Sequence, residues 1–515
     1  MPHTPPTRAR PPIVAVVGHI DHGKSTLLDY IRKTSITEGE AGGITQHLSA
    51  YQAVHENAAG AHTITFLDTP GHAAFVGMRS RGLEVADVAI LVVSAEEGAK
   101  PQTLEALDLI KSAGIPYVIA FTKIDKPGAN LERAKMSLLE HQVFIEGLGG
   151  DVPWVGVSSK SGEGIPELLD LILLAAELEE IQTDAGAPGR GLVIEAHTEA
   201  KRGNTAMLIV EDGTVASGQY VVAGNCIAPV RIMENFLGKP IKEALPGTPI
   251  RIVGFTPLPQ VGTRFAVVGS KKEAEAEASE YRSRILRPTA LEAARPSLTV
   301  GSQDAAPATE VQKVVLPIVI KTDVAGTGEA VAHELAKLPQ HPTLEARVIA
   351  RSVGAITEGD IKMLAGSTTA GIVVGFNVKI EPAARELAER QGVTVATFDI
   401  IYKLTEWLTQ VLEERRPREE VSELKAAAKV LKIFSAQSGR VVLGGRVEEG
   451  ALVEGMEVKI VRREQEIGRA KIISLQTGKN PAKSVEAGTE FGAMLKTEAL
   501  PAAGDHLEAH TTILK

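Results

Sequence analysis

Gly18-His19-Ile20-Asp21-His22-Gly23-Lys24-Ser25 sets two glycines around a turn and a lysine-serine pair at its exit. It lies directly after the apolar run Ile13 to Val17 and before a helix-prone stretch from Thr26 to Arg32. In that context the pattern is a phosphate-binding loop. Its glycines let successive backbone N–H groups turn inward onto phosphate oxygens, Lys24 neutralises charge on the terminal phosphates, and Ser25 offers a hydroxyl ligand for Mg²⁺. Asp21, His22, Gly23 and Thr26 complete the candidate phosphate contacts. His19 and His22 sit in a loop whose backbone is already committed to an anion, so they are expected to pack or face solvent, not to bind metal.

Asp68-Thr69-Pro70-Gly71-His72 follows the apolar run Ile64 to Leu67. A carboxylate at that strand end can hold Mg²⁺ directly or through water, and Gly71 can present its N–H to a third phosphate, which makes the turn a sensor of that phosphate. Thr122-Lys123-Ile124-Asp125 follows the strand-like Tyr117 to Phe121. The Asp125 carboxylate can accept from both N1–H and N2–H₂ of guanine, whereas adenine has no matching pair of donors. An unpaired Asp125 would cost about 1 to 3 kcal/mol, enough to favour guanine. Ser158-Ser159-Lys160, after the next strand, supplies a loop around the base.

These residues need a sheet to hold them. Strand-like runs at Ile13 to Val17, Ile64 to Leu67, Val88 to Val93, Tyr117 to Thr122 and Trp154 to Val157 alternate with helical stretches, which predicts a parallel sheet with crossover helices over 13–182. Residues 191–270 carry short Val- and Ile-rich strands between Gly and Pro turns, the pattern of a small β-barrel. The pattern returns in 421–515 as an internal repeat: Gly213, Gly218 and Val221 match Gly450, Gly455 and Val458 at equal spacing, Gly247-Thr248 matches Gly488-Thr489, and the 258–262 segment matches 500–504.

Between the barrels, 271–312 reads as a helix from Lys271 to Leu286 followed by an Ala-, Pro- and Ser-rich linker. A second α/β domain is expected over 313–400, with a connecting helix in 401–420 stopped near Pro417. Gly326-Thr327-Gly328 in that domain lacks the Lys-Ser/Thr of a phosphate loop and reads as a structural turn. The fold class is thus multidomain, α/β and β.

Composition bounds the partners. At 515 residues the chain holds several domains, and its net charge of −9 argues against a uniformly basic nucleic-acid coat. No apolar run is long enough to span a bilayer, and no signal core precedes the first strand, so residues 1–12 read as a disordered lead and the location as cytoplasmic. One cysteine, Cys226, allows no internal disulfide. In the last region basic and acidic residues nearly balance, so a large phosphate-binding face is not expected there.

Gly18 to Ser25, Gly42-Gly43-Ile44-Thr45-Gln46-His47, Asp68 to Gly82 and Gly162-Glu163-Gly164-Ile165 together resemble the bacterial translation initiation factor 2 family, as do Gly354 to Glu358, Gly375 to Val378 and Ile400 to Leu404. The resemblance runs along nearly the whole chain, in a form without the family's long upstream domain. It implies a ribosome-stimulated GTPase using GTP/GDP and Mg²⁺, with Thr45 a Mg²⁺ ligand, His72 orienting the attacking water, and Ile20 and Ile44 as an apolar gate. It also implies small and large ribosomal subunits, initiator methionyl-tRNA and other initiation factors as partners of a monomer, with no membrane.

Lys479, Glu490 and Gly492 are the residues the resemblance marks for tRNA. Two family cysteine positions appear here as Phe491 and Gly445, and the loop after Ser474-Leu475 is neither basic nor aromatic, which leaves formyl recognition open. Thr122 stands where the family has Asn, so weaker guanine binding is expected. Alternative readings are another ribosome-associated GTPase, or a GTP-gated tRNA- or ribosome-binding protein that does not need hydrolysis. An ATPase or kinase is opposed by Asp125.

Overall fold

The computed structural model describes residues 9–33, 45–199, 201–286, 314–338, 344–364, 370–416, 420–437, 439–463, 465–478 and 480–514. Two compact units emerge, Met1–Arg415 and Arg416–Lys515.

The first sheet of the larger unit contains β1 (Ile13–Gly18), β2 (Ser49–Asn57), β3 (Gly60–Asp68), β4 (Val88–Ser94), β5 (Tyr117–Thr122) and β6 (Trp154–Gly156), in the order β2-β3-β1-β4-β5-β6. All neighbours are parallel except β2, which returns antiparallel to β3. β1 and β4 are buried at every residue, as expected of central strands covered on both faces. The register pairs Val16 with Asp68, Gly18 with Val92, and Ser94 with Thr122. The ends of β1, β3, β4 and β5 therefore open at one edge, where ligands of open α/β sheets bind. The helices are α1 (Lys24–Arg32), α2 (Val76–Val85), α3 (Pro101–Ala113), α4 (Leu131–Leu139) and α5 (Ile165–Leu178). α1 starts directly from the loop, because Gly23 takes a left-handed φ of 87° that reverses the chain into the helix.

A seven-stranded antiparallel sheet follows, in the order 226–229, 220–223, 264–268, 190–199, 203–212, 249–253, 232–235. It curls round a core that includes Val193, Leu208, Val221, Ile252 and Phe265. The helix Lys271–Leu286 lies against it through Ala274 and Ala278.

A third, all-parallel sheet has the order 344–353, 314–322, 372–376, 394–398. Its first helix is Ala325–Lys337, which starts earlier than expected: Gly326-Thr327-Gly328, read as a structural turn, is the buried first turn of that helix. The glycines serve close packing. A Cβ on Gly326 would lie 2.6 Å from Met78 Cε and 3.0 Å from Glu195 Oε2. The helix Ile401–Glu414 buries Leu404, Leu408 and Val411, spaced to share one face.

The smaller unit is a closed antiparallel barrel in which 420–437, 506–514, 457–462, 465–477, 490–497 and 440–453 pair in turn, the last returning to the first. The repeat seen in the sequence has the same backbone in both places. Gly213 and Gly450 share φ 68°, and Gly247 and Gly488 have φ 80° and 85°. The N–H of Gly247 donates to Val210 O and that of Gly488 to Val447 O, at 2.7 and 2.8 Å.

Candidate functional site

At the opening of the first sheet a cavity of about 320 Å³ is lined by Asp21, Gly23, Lys24, Ser25, Thr26, Thr45, Gly71, His72 and Lys123, with Ile20 and Phe75. Residues from four separate sequence motifs thus meet at one place. Lys24 is buried, and its Nζ donates to Gly18 O at 3.0 Å and His19 O at 2.6 Å. Burial brings its ammonium down to about 8, with Asp68 opposing the shift; phosphate oxygens would favour the charged form again.

The His22 side chain is fully buried. Its Nδ1 accepts from Ser94 N–H at 3.2 Å, and burial holds its ring near 4, hence neutral. The His22 side chain is therefore packed within the loop, its carbonyl accepts from Thr122 Oγ1, and the residue does not line the cavity.

Ser25 Oγ and Thr45 Oγ1 are 2.7 Å apart, and Thr45 Oγ1 donates to Asp68 Oδ2 at 3.4 Å. Three oxygen donors converge, a hard set suited to Mg²⁺. Gly42, Gly43 and Ile44, and with Ile44 one side of the expected gate, fall outside the described residues.

Gly71 lies against the loop so closely that a Cβ would stand 2.5 Å from Lys24 Nζ and 3.0 Å from Ile20 N. A side chain there would have to displace the Lys24 ammonium and press on the loop backbone. Next to it His72 is buried, and its Nδ1 accepts from Ala74 N–H at 2.8 Å. That bond leaves the neutral ring with its proton on Nε2, and burial, the main cause, shifts the ring further toward neutrality. The Tyr402 ring stands edge-on to His72 at 4.3 Å between centroids.

Thr122 Oγ1 donates to His22 O, tying β5 to the phosphate loop. Asp125 is exposed; Ser158 Oγ donates to its Oδ1 at 2.8 Å and, as the largest cause, lowers its carboxyl below the usual range. Ser158 Oγ also accepts from the N–H groups of Lys160 and Ser161, so Ser159 and Lys160 are folded into one turn beside Asp125. Lys123 has a left-handed φ of 61° and reaches Glu96 at 3.9 Å.

Sequence reasoning missed several residues. Arg79 is fully buried and reaches Pro70 O, His72 O and Glu105. Gln102 Oε1 accepts from Ile20 N–H at 3.1 Å. A signal for Arg79 existed: Phe75, Met78, Arg79 and Gly82 share one helical face, which puts the arginine on the side that must pack. Contacts to the third sheet were not legible at all. Gln46 Nε2 donates to Asp399 O at 2.9 Å, His47 approaches Asp323 at 3.3 Å, and Arg81 pairs with Glu329 at 2.6 Å.

In the terminal barrel, Lys479 lies outside the described residues. Glu490 pairs across the sheet with Arg446, and Gly492 with Gly444. Phe491 points inward, and a Cβ on Gly445 would come within 2.9 Å of its ring. Gly445 and Phe491 pair across the sheet, and a Cβ at 445 would also clash with Lys429 O, so the glycine is held by the strand backbone as well as by the ring.

At one edge of a mostly parallel sheet this chain carries the features of the P-loop GTPase class: a glycine-rich loop ending in Lys24-Ser25, the Gly71 turn beside it, and Asp125 next to the Ser158 turn. Its residues 10–177 match the model of the Elongation factor Tu GTP binding domain, 188–268 that of Elongation factor G domain 2, and 294–409 that of Translation-initiation factor 2. It is 40% identical to the translation initiation factor IF-2 of Rubrobacter xylanophilus over 504 residues, 98% of this chain and 72% of that protein, and it belongs to the translation initiation factor 2 family.

The corresponding factor of Bartonella tribocorum is 40% identical over 97% of this chain, which spans 58% of that relative's length. Among solved structures, GDP-bound aIF5B from Aeropyrum pernix aligns at 25% identity over 99% of this chain and 92% of its own, with a TM-score of 0.47. No helix among the described residues is long and apolar enough to cross a membrane.

Proposed function

We propose that this chain is a translation initiation GTPase: it binds GTP at the cradle of Lys24, engages the small ribosomal subunit with initiator methionyl-tRNA, promotes joining of the large subunit and hydrolyses GTP. The observation that carries this reading is the convergence of Lys24, Gly71 and His72 on one cavity in a chain of this family. Residues 13–182 serve as the nucleotide domain, 191–270 as a barrel, the helix Lys271–Leu286 as its exit, 313–400 as a second α/β domain, 401–420 as connector and 421–515 as the tRNA-facing barrel; the linker expected up to 312 lies outside the described residues.

Ser25, Thr45 and Asp68 are the residues that would hold Mg²⁺, which when bound supplies charge neutralisation at the phosphates. The protein's own part is positioning. Lys24 binds the terminal phosphates, Gly71 N–H senses the last of them, and Asp125 with the Ser158-Ser159-Lys160 turn selects guanine. His72, with Nδ1 engaged by Ala74 N–H, offers Nε2–H as a donor to an oxygen in the cavity. In this arrangement it orients water or phosphate and does not take up the water's proton.

His72→Ala tests the reading directly. Ribosome-stimulated single-turnover hydrolysis is expected to fall by about a hundredfold or more while GDP affinity stays within about threefold, as for loss of an interaction used only in the transition state. Unchanged hydrolysis would sink the catalytic role and favour a GTP-gated binding protein. Formyl discrimination belongs to a separate assay, because it concerns the terminal barrel and not the nucleotide cavity.

A further inference from the structure

Arg79 has no place in the chemistry above, yet it is 1% exposed and charged. Burying a guanidinium costs several kcal/mol unless its charge and donors are satisfied. Here Nη1 donates to His72 O at 2.6 Å and Pro70 O at 3.1 Å, and Nη2 donates to Glu105 Oε1 at 2.8 Å. The two carbonyls flank Gly71. Pro70 O and Gly71 N belong to one trans peptide, a rigid plane in which C=O and N–H point in opposite directions. Holding Pro70 O on Arg79 therefore aims the Gly71 N–H away from the guanidinium. Arg79 itself does not line the cavity, whereas Gly71 does, against Lys24.

The clamp is referenced to the phosphate loop. Glu105 sits on α3, and one helical turn earlier Gln102 of α3 accepts from Ile20 N–H. One rigid helix thereby fixes the loop at one point and, through Glu105 and Arg79, the sensor turn at another.

We propose that Arg79 is a positioning residue that sets the orientation of the Pro70–Gly71 peptide, and so presents the Gly71 N–H to a third phosphate; this rests on the nucleotide-binding reading above. It touches neither substrate nor reacting atoms and acts through Gly71 and His72. The consequence is selective. A diphosphate does not need that N–H, and a triphosphate does.

The experiment measures dissociation constants of the full chain for GDP and for an imido analogue of GTP, in the parent, Arg79→Met, Arg79→Lys and Glu105→Gln, with thermal melts confirming folding. Arg79→Met is expected to hold GDP affinity within about threefold and to lose about tenfold on the triphosphate analogue, the size of one charge-assisted hydrogen bond. Arg79→Lys, which keeps a donor for the carbonyls, is expected to recover part of that loss. If Arg79→Met does not fold, Glu105→Gln, which keeps the arginine but weakens its anchor, must shift the ratio in the same direction. Equal weakening of both nucleotides, or an unchanged ratio, overturns the proposal and leaves Arg79 a packing residue. A parent chain that binds neither guanine nucleotide removes the underlying reading, and this proposal with it.

Discussion

Thr122 illustrates how a single hydroxyl can tie a strand end to the phosphate loop. The expected weakness of a threonine at this position follows from its having fewer hydrogen-bonding atoms than asparagine. The hydroxyl nevertheless makes the bond that matters for the loop, to His22 O, with Val93 O a second acceptor at 3.4 Å. Thr122→Val removes that bond, leaves a buried carbonyl short of a donor, and is expected to weaken GDP binding by about tenfold, roughly 1 to 1.5 kcal/mol. Thr122→Ser, which keeps the hydroxyl, is expected to stay within about threefold of the parent in the same calorimetric titration. Equal effects of Val and Ser would contradict this role.

At this scale the sequence was most informative where a residue type is demanded by chemistry. Gly71 could be placed because it closes an Asp-x-x-Gly turn after an apolar strand, where a backbone N–H can meet a phosphate. Arg79 was harder to place: its helical spacing marks a packed face, but two of its three partners are backbone carbonyls, which every sequence has.

Elements were legible where their apolar period was strong. The central strands, the helix Lys271–Leu286 and the alternation of the third sheet appear within a few residues of expectation. β2 was missed because it is an edge strand whose outer half is largely solvent-facing, with residues such as His55, Glu56 and Asn57 that give no apolar run. What the sequence could not show is how elements of different sheets meet. Glu195, on the strand Arg190–Glu199, is buried between α2 and the helix Ala325–Lys337; its carboxylate accepts from Ala196 N–H at 3.0 Å and Gly326 N–H at 3.3 Å.

Burial, the largest cause, raises the carboxyl of Glu195 to about 7, with Asp323 adding to the shift and Arg81 and the two backbone N–H groups opposing it. The folded pKa lies above the unfolded one, so the folded state binds the proton more tightly. Stability from this group is complete below about pH 4.5 and is lost as pH rises through 7. Glu195→Gln is expected to melt like the parent near pH 4.5 and to be more stable by about 1 to 3 kcal/mol at pH 8, read by chemical denaturation across that range. A difference that does not change with pH would show that the carboxyl does not titrate in this junction.

For the whole molecule the informative fact is that the terminal barrel closes on itself. Its core, including Val430, Leu443, Ile460, Leu495 and Leu507, is drawn from its own strands, and it forms a unit separate from Met1–Arg415. A fragment comprising 416–515 is therefore expected to fold alone with a single cooperative melt, and 1–415 to bind GDP within about threefold of the full chain. A fragment without a cooperative transition would mean that the barrel depends on the rest of the chain.

At the same scale, the net charge of −9 argues against a uniformly basic nucleic-acid coat. The central claim, that this molecule is built around a guanine nucleotide, is tested most directly by titrating the full chain and Asp125→Asn with GDP, ADP and xanthosine diphosphate. The parent is predicted to prefer GDP over ADP by at least about a hundredfold, since adenine leaves Asp125 unpaired. Asp125→Asn, whose amide can donate to the 2-carbonyl of xanthine, is predicted to exchange GDP for the xanthine nucleotide. Equal affinity of the parent for GDP and ADP, or an Asp125→Asn variant that binds GDP as the parent does, would contradict the account.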